Sequence, residues 1–523
     1  MAPSGNETTG DMEWTTREWR LVWIACAVAV ALRFAFGGRG FWLDEYWTLH
    51  AAMLPTDALI RERVSAGHSP LTFFLAKAFL PLDFLGERGL RLGSALASGA
   101  AVAGMAALAT RLGLKRLLPI VLALSVACPH WQQIGTECRY TMPLVATAAW
   151  LWWAAVGYAR EGTWRRACTL MGLATLCSYI HGSGFFVVAS VMVFLIAAPR
   201  AGFGGGWRRA VGGVGAVSVA LACVVPLMLA LRPRLAESPA RKGFVPFDML
   251  HNLAESFFST TLAPQAIMGL GPDFFRVVEI ALIVAGVALA LSARRDPGGA
   301  ALPKWWIFLA VAGFFAAQAI YSATVSNVQG TLRFSAALSV PCIVLLAIAW
   351  DAAVVRGGRL AAAWRWALGG VVAVLLAAEC ANPGPWHRES IRWLADHRTP
   401  DQPVVTYGRT VNLLAFSFHE FPPGGAIAGI ETITETREQA FAILRETWAP
   451  GDSAFLFQYR SSDDFVEESL DRLTAEGFVT YRREWRATSE LRIIGVARNE
   501  AGKARLEALP ELRVSPLLPS ARR

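Results

Sequence analysis

The chain has 523 residues, of which 54% are hydrophobic and 17% charged; a typical soluble domain carries about 25% charge, so an ordinary soluble enzyme is excluded. The formal charge of +9 does not mark a nucleic-acid binder, because the basic residues fall in small groups between apolar blocks and form no single patch. The eight cysteines (Cys26, Cys128, Cys138, Cys168, Cys177, Cys223, Cys342, Cys380) lie in or beside those blocks without CxxC pairing, which argues against a disulfide framework or a zinc site.

Residues 1–19 are a polar N-terminal segment, read as cytoplasmic. They lead into an apolar run with no small-residue cleavage site after it, an anchor rather than a signal peptide. Apolar blocks near the roughly 20 residues needed to cross a hydrocarbon core predict spans at 20–37, 90–110, 117–135, 142–159, 167–181, 184–198, 210–231, 273–293, 305–322, 334–351 and 366–381. The connections set the orientation. Arg111, Lys115 and Arg116 share one loop, as do Arg160, Arg165 and Arg166, then Arg200, Arg208 and Arg209, then Arg294, Arg295 and Lys304, then Arg356, Arg359 and Arg365. The short loops between carry only Arg139, nothing near His181, and Arg333. By the positive-inside rule the cation-rich loops are cytoplasmic.

The segment 68–86 is apolar, but Lys77 and Pro81 interrupt it, and counting it as a crossing would invert every later loop. Residues 38–89 are therefore read as one long outer loop with helices at the interface, and 232–272 as a second. After residue 382, strand-like runs (PVVTYG, SAFLFQY, FVTYRREW, LRIIGVA) alternate with amphipathic stretches (ETREQAFAILRETW, DDFVEESLDRLTAEG), which predicts a small α/β domain. The expected fold is mainly α: a polytopic bundle of about eleven spans over 20–381 with an extracytoplasmic α/β domain over 382–523.

Directly after the first span, GFWLDEYWTLHAAM sets Asp44 and Glu45 among Phe41, Trp42, Tyr46 and Trp47. Aromatics suit a membrane interface; two adjacent carboxylates mark either a chain turn or chemistry at the membrane surface. Glu137, Arg139 and Tyr140 follow in GTECRYTMP, His68 in GHSPL, His181 at the end of one span and Arg333 at the start of another, all on the predicted outer face. Ionisable groups near membrane depth usually line a cavity, because exposing one to lipid costs roughly 2.5 kcal/mol or more. Each has a structural alternative: Asp44 as a helix N-cap, Glu137 and Arg139 as a mutual pair, His68 and His181 as satisfied interface histidines, Arg33 and Arg333 as snorkelling side chains. Their convergence on one side favours a site.

In order, Arg33 and FWLDEYWT, GHSPL, GERGLRLGSAL, TECRYTMPL, SYIHGSGFF and TLRFSAALSVP resemble the motif order of the bacterial GT-C membrane glycosyltransferases. This is the family 39-type group related to protein O-mannosyltransferases and the lipid A aminoarabinose transferase. That family typically has W-x-D-E in the first outer loop, H-P-P-L before the second span, Q-E-A-R-x-Y in the second outer loop, and an R-Y-x-x-P-like element opening a late span. The resemblance covers about residues 20–350. It departs at Ser69, where proline is common, at Thr136 and Cys138 around Glu137, and at Phe334 after Arg333.

The resemblance implies a transferase that moves a sugar, with inversion, from a polyprenyl-phosphate donor to an envelope acceptor (lipid, polysaccharide or protein) on the outer side of a bacterial cytoplasmic membrane. The physical chemistry fits. Nucleotide sugars are not available outside that membrane, so the donor must be lipid-linked. An arginine matches phosphate oxygens bidentately and stabilises the leaving phosphate as its charge grows, while a carboxylate can take the acceptor's proton. Asp44 and Glu45 are the catalytic candidates, with Asp44 as base; on a helix Glu45 points about a third of a turn away, to orient a neighbour or bind a metal. His68, Glu137, Arg139, Tyr140, His181 and Arg333 are the substrate-binding candidates. No DxD pair occurs, so a required metal is not implied and a divalent cation stays open. One alternative is a transporter or flippase of lipid-linked glycans, against which the two halves show no evident repeat. Another is a different membrane enzyme, such as an O-antigen ligase or a phosphoethanolamine transferase; the latter would need a larger metal-binding external domain than residues 382–523 provide.

Overall fold

The computed structural model describes residues 14–41, 43–200, 206–237, 246–258, 272–292, 301–324, 335–381, 387–407, 413, 415–416, 427–430, 437–448, 452–459, 463–486 and 491–512. The chain divides into two compact units, one of residues 1–38 and 51–382 and the other of residues 39–50 and 383–523.

The helices up to the last apolar block are α1 (Thr16–Phe36), α2 (Leu43–Met53), α3 (Thr56–Ser65), α4 (Leu71–Phe79), α5 (Glu87–Arg111), α6 (Leu118–Ala127), α7 (Pro129–Gly135), α8 (Thr141–Glu161), α9 (Trp164–Ile180), α10 (Gly184–Ala197), α11 (Gly206–Glu237), α12 (Pro246–Phe258), α13 (Pro272–Ser292), α14 (Ala301–Thr324), α15 (Ser339–Arg356) and α16 (Gly358–Ala381). Among the described residues seven helices are long and apolar enough to cross a membrane, or eight if the bent pair α6–α7 counts as one span. This is a multi-pass membrane protein. Helices dominate because a segment in hydrocarbon must satisfy its own backbone hydrogen bonds. The described residues of each of the eleven apolar blocks are mainly helical, with differences that have local causes.

The block at 117–135 is not one straight helix. Cys128, the residue before Pro129, has an extended ψ of 113°, as proline forces on its predecessor, and the axis bends by 50° there. Helix α9 has 17 residues and α10 has 14, or about 26 and 21 Å at 1.5 Å per residue, both short of a ~30 Å core. Their joint is tight: a Cβ on Gly184 would sit 2.1 Å from the Cys177 carbonyl oxygen, so only glycine fits. The segment 68–86 forms no membrane-length helix; α4 has nine residues, about 13 Å. The expected outer loop at 232–272 is partly helical, since α11 runs on to Glu237 and α12 follows. Helix α12 buries Leu253, Ala254, Phe257 and Phe258, one apolar stripe at helical spacing.

The cation-bearing loops meet at one end of the bundle. Lys115 pairs with Glu18 at 3.3 Å, Arg116 with Asp351 at 3.0 Å and Arg166 with Glu161 at 3.0 Å, and Arg356 donates to Ser292 Oγ at 3.0 Å. The same Glu18 closes a capping box with Thr15 at the start of α1, which satisfies two otherwise orphaned amides.

In the other unit, α17 (His387–His397), α18 (Arg437–Trp448), α19 (Asp463–Ala475) and α20 (Glu500–Glu507) pack with strands β1 (Val404–Tyr407), β2 (Ile427–Ile430), β3 (Ser453–Tyr459), β4 (Tyr481–Arg486) and β5 (Leu491–Ala497). The sheet order is β2-β1-β3-β5-β4, with β1 parallel to β2 and β3, and β5 antiparallel to β3 and β4. Alternation along the strands sends Val405, Tyr407, Leu456, Ile494 and Val496 into a core with Phe441, Leu444 and Trp448 of α18 and Val466, Leu470 and Leu473 of α19. On the opposite face Trp485 lies against Trp393 and Phe455, with ring centroids 4.9 and 6.3 Å apart. The α/β alternation expected after residue 382 is present; β2, α17 and α20 had no strong sequence signal.

Candidate functional site

The end of the bundle away from the cation-bearing loops gathers motifs that are far apart in sequence. Helix α7 stops at Gly135, where a Cβ would lie 2.6 Å from both Arg33 Cγ and Ser98 Oγ; the chain then turns through Thr136–Arg139 into α8. The Thr136 hydroxyl bonds back to the Gln132 and Gln133 carbonyls at 3.1 and 2.9 Å, and the Arg139 amide donates to the Glu137 carbonyl at 2.9 Å. Glu137 is buried at 6% exposure. The Arg139 guanidinium lies 5.2 Å from the Tyr140 ring centroid, and Tyr140 stacks on His181 at 3.6 Å with planes 2° apart. Three residues singled out in the sequence thus meet at Tyr140: a cation near its ring, a contact the ring quadrupole favours, and an imidazole lying face to face with it.

His181 caps α9 in an extended conformation. Its Nδ1 accepts from the Ser183 amide at 3.2 Å and faces the Ser183 hydroxyl at 2.9 Å. An accepting Nδ1 fixes the neutral tautomer with its proton on Nε2, so His181 presents a donor at that nitrogen. Ser69 of GHSPL donates its hydroxyl to the Tyr179 carbonyl, which brings that motif to the same end of α9. His68 itself is exposed, with its ring 6.3 Å from Phe73. Ser94 of GERGLRLGSAL reaches the Arg139 carbonyl at 3.5 Å.

Two buried arginines hold helix ends at this side. Arg33 is 0% exposed and does not snorkel: it donates to the Val126 carbonyl at 2.9 Å, one of the carbonyls orphaned where α6 ends. Arg91, in the motif run but not among the sequence candidates, is 2% exposed and donates to the Gly37 carbonyl at 2.8 Å. Gly135→Ala should cost about 1–3 kcal/mol by overpacking, because Arg33 Cγ is not the free end of a side chain. Thermal unfolding in detergent would measure it, and a wild-type melting temperature would show that the junction can relax.

Helix α2 carries the acid pair in its first turn, where negative charge is favoured by the helix dipole. Asp44 therefore lies inside the helix rather than ahead of it as a cap. Asp44, Trp47 and His50 are partly exposed, whereas Glu45 is 0% and Tyr46 1% exposed. Positions 44, 47 and 50 share one helix face, so a carboxylate, an indole and an imidazole are presented together; Trp47 and His50 meet edge to face at 6.4 Å. His50 was not a sequence candidate, although its i, i+3, i+6 spacing from Asp44 and Trp47 carries the signal.

Arg333 and the neighbouring Phe334 lie outside the described residues, as does Trp42. The late-span element resumes at Ser335, whose hydroxyl accepts from Gln318 at 3.3 Å, and Ser339 Oγ accepts from Trp131 Nε1 of α7 at 2.8 Å. The side chains of Arg232 and Arg234 in the C-terminal turns of α11, and Arg241, are also outside the described set. Among the described residues no three His, Cys, Asp or Glu side chains converge as a metal site would require.

Compared by sequence, the chain matches no family model and no curated protein. Compared by structure, it is similar to ArnT from Cupriavidus metallidurans in the apo state, with a TM-score of 0.54 and 14% identity over 93% of this chain and 99% of that one. It is likewise similar to the same protein bound to undecaprenyl phosphate, with a TM-score of 0.53 and 15% identity over the same shares of both chains. The chain has the GT-C-type fold of the membrane glycosyltransferases that its motif order resembles.

Proposed function

We propose that the protein is a membrane glycosyltransferase that moves a sugar from a polyprenyl-phosphate donor to an envelope acceptor on the outer side of a bacterial cytoplasmic membrane. The observation that carries this reading is the end-to-end fold correspondence with ArnT, one of whose structures holds undecaprenyl phosphate. The clustering of TECRY, SYIHG, GHSPL and the GERGLRLGSAL run at one end of the bundle supports it. In this reading Asp44 takes the acceptor proton and Arg333 holds the donor phosphate. Arg139, held against Tyr140 and His181, assists with the phosphate, and Tyr140, His181, Glu137 and His68 contact the sugar. The acceptor is a lipid, a glycan or a protein. Mass spectrometry of envelope glycolipids, glycans and proteins with and without the gene tests the reading. A sugar missing from one of these fractions supports it; identical fractions, with no transfer from a polyprenyl phosphate-sugar by purified protein, reject it.

The reading requires Asp44, Glu137, His181 and residues 382–523 to be extracytoplasmic, by the alternation of basic loops. In a background without native cysteines, a cysteine at Ser461 should react with a membrane-impermeant maleimide in intact cells. Labelling only after the inner face is opened would invert the topology and remove the site.

A further inference from the structure

We propose that the C-terminal α/β fold is a working part of the transferase: it is the seat that fixes the first turns of α2 and so sets where Asp44 stands. This rests on the transferase reading above. Residues 39–50 form one compact unit with residues 383–523, although more than three hundred positions of sequence (51–382) separate the two segments. In this segment Phe41 and Glu45 are 0% exposed, Tyr46 1% and Leu49 4% in the whole chain, and Phe41 meets Tyr46 edge to face at 5.7 Å. The buried positions lie on one side of α2 and Asp44 on the other. An eleven-residue helix is too short to be stable alone in water, so its order comes from what covers the buried side. Burying the Glu45 carboxyl group adds register, because a polar group removed from water is tolerated only in an environment built for it. The Thr48 hydroxyl, bonded to the Asp44 carbonyl at 2.8 Å, tightens the same turn. Opening of the α/β fold would therefore release the acid-bearing turn.

Hydrogen exchange of the full-length protein in nanodiscs, along a series of low urea concentrations, tests this. Amides of residues 44–49 should open in step with those of β5 and show the same urea dependence, while α5 and α8 stay protected. Ile493→Ala, in the centre of the sheet, should speed exchange in both β5 and residues 44–49 by the same factor, at least about 30-fold. Exchange of 44–49 in step with α5 and α8, or unaffected by Ile493→Ala, overturns the proposal. Turnover of a polyprenyl phosphate-sugar along the same series should fall where 44–49 open and α5 remains closed. Turnover that persists beyond that point also overturns the seat. No turnover by the intact protein without urea overturns the transferase reading, and the seat's catalytic role with it, whatever the exchange pattern.

Discussion

Replacing Asp44 by asparagine should lower turnover by a factor on the order of 100 to 10,000, the usual size of a general-base contribution, with donor binding nearly unchanged. Asparagine keeps the shape and most of the hydrogen bonding but has no useful proton affinity. The structure gives this test a sharp contrast. Asp44 is partly exposed on the face shared with Trp47 and His50, where an acceptor hydroxyl can reach it, while its neighbour Glu45 is sealed at 0% exposure. If the Asp44 charge served only the start of α2, its loss would cost about 0.3–1 kcal/mol of dipole interaction. That would appear as a small drop in stability with turnover intact. Glu45→Gln should act the other way, on folding and on the order of α2 more than on the chemical step. Equal folded amounts of each variant in nanodiscs, with a polyprenyl phosphate-sugar donor, separate the cases. An active Asp44→Asn beside a dead, well-folded Glu45→Gln would move the base to Glu45. Two active variants would return the pair to a structural role.

The apolar blocks that became α1, α5, α8, α14 and α16 were legible in the sequence because a membrane helix advertises itself locally, through length and hydrophobicity alone. Features that depend on a second pattern were harder to see. The run at 117–135 reads as one span by hydropathy, yet Pro129 was in plain sight and its effect on Cys128 breaks the helix. Helix α12 was hidden in an expected loop because PFDMLHNLAESFF mixes His251, Asn252 and Glu255 with its apolar stripe, which a hydropathy window averages away. The four residues of β2, IAGI, offer too short a run to distinguish from a loop. The candidate site was legible as a list of odd polar residues but not as a geometry. Nothing local in TECRY or SYIHG says that Tyr140 will lie flat on His181, since that contact is created by the antiparallel pairing of α8 and α9. The grouping of residues 39–50 with the C-terminal fold is likewise a tertiary fact, and so is the difference in burial between partly exposed Asp44 and buried Glu45.

Replacing Arg333 by alanine should lower kcat/KM for the lipid-linked donor by a factor on the order of 100 to 1,000, the size expected when a fixed donor to a developing negative charge is removed. Arginines described at the end of the bundle away from the cation-bearing loops are already engaged. Arg33 and Arg91 are buried and donate to the carbonyls of Val126 and Gly37, so their forks are engaged in holding helix ends. Arg139 lies over the Tyr140 ring, where it can assist a phosphate but is tied to the stack. Arg333 opens the late-span element that continues through Ser335 to the Trp131–Ser339 bond at 2.8 Å, next to α7 and its turn into TECRY. Arg333→Lys should recover only part of the loss, because an ammonium keeps the charge but not the planar fork that meets two phosphate oxygens at once. If Arg139 shares the phosphate, the Arg139→Ala and Arg333→Ala effects should fall short of additivity, as expected for groups acting on one centre. The measurement is initial rate against donor concentration for the two single variants, the double variant and Arg333→Lys. Wild-type rates for Arg333→Ala at donor levels well below KM would remove Arg333 from the phosphate and leave Arg139, or an arginine of residues 232–241, to carry it.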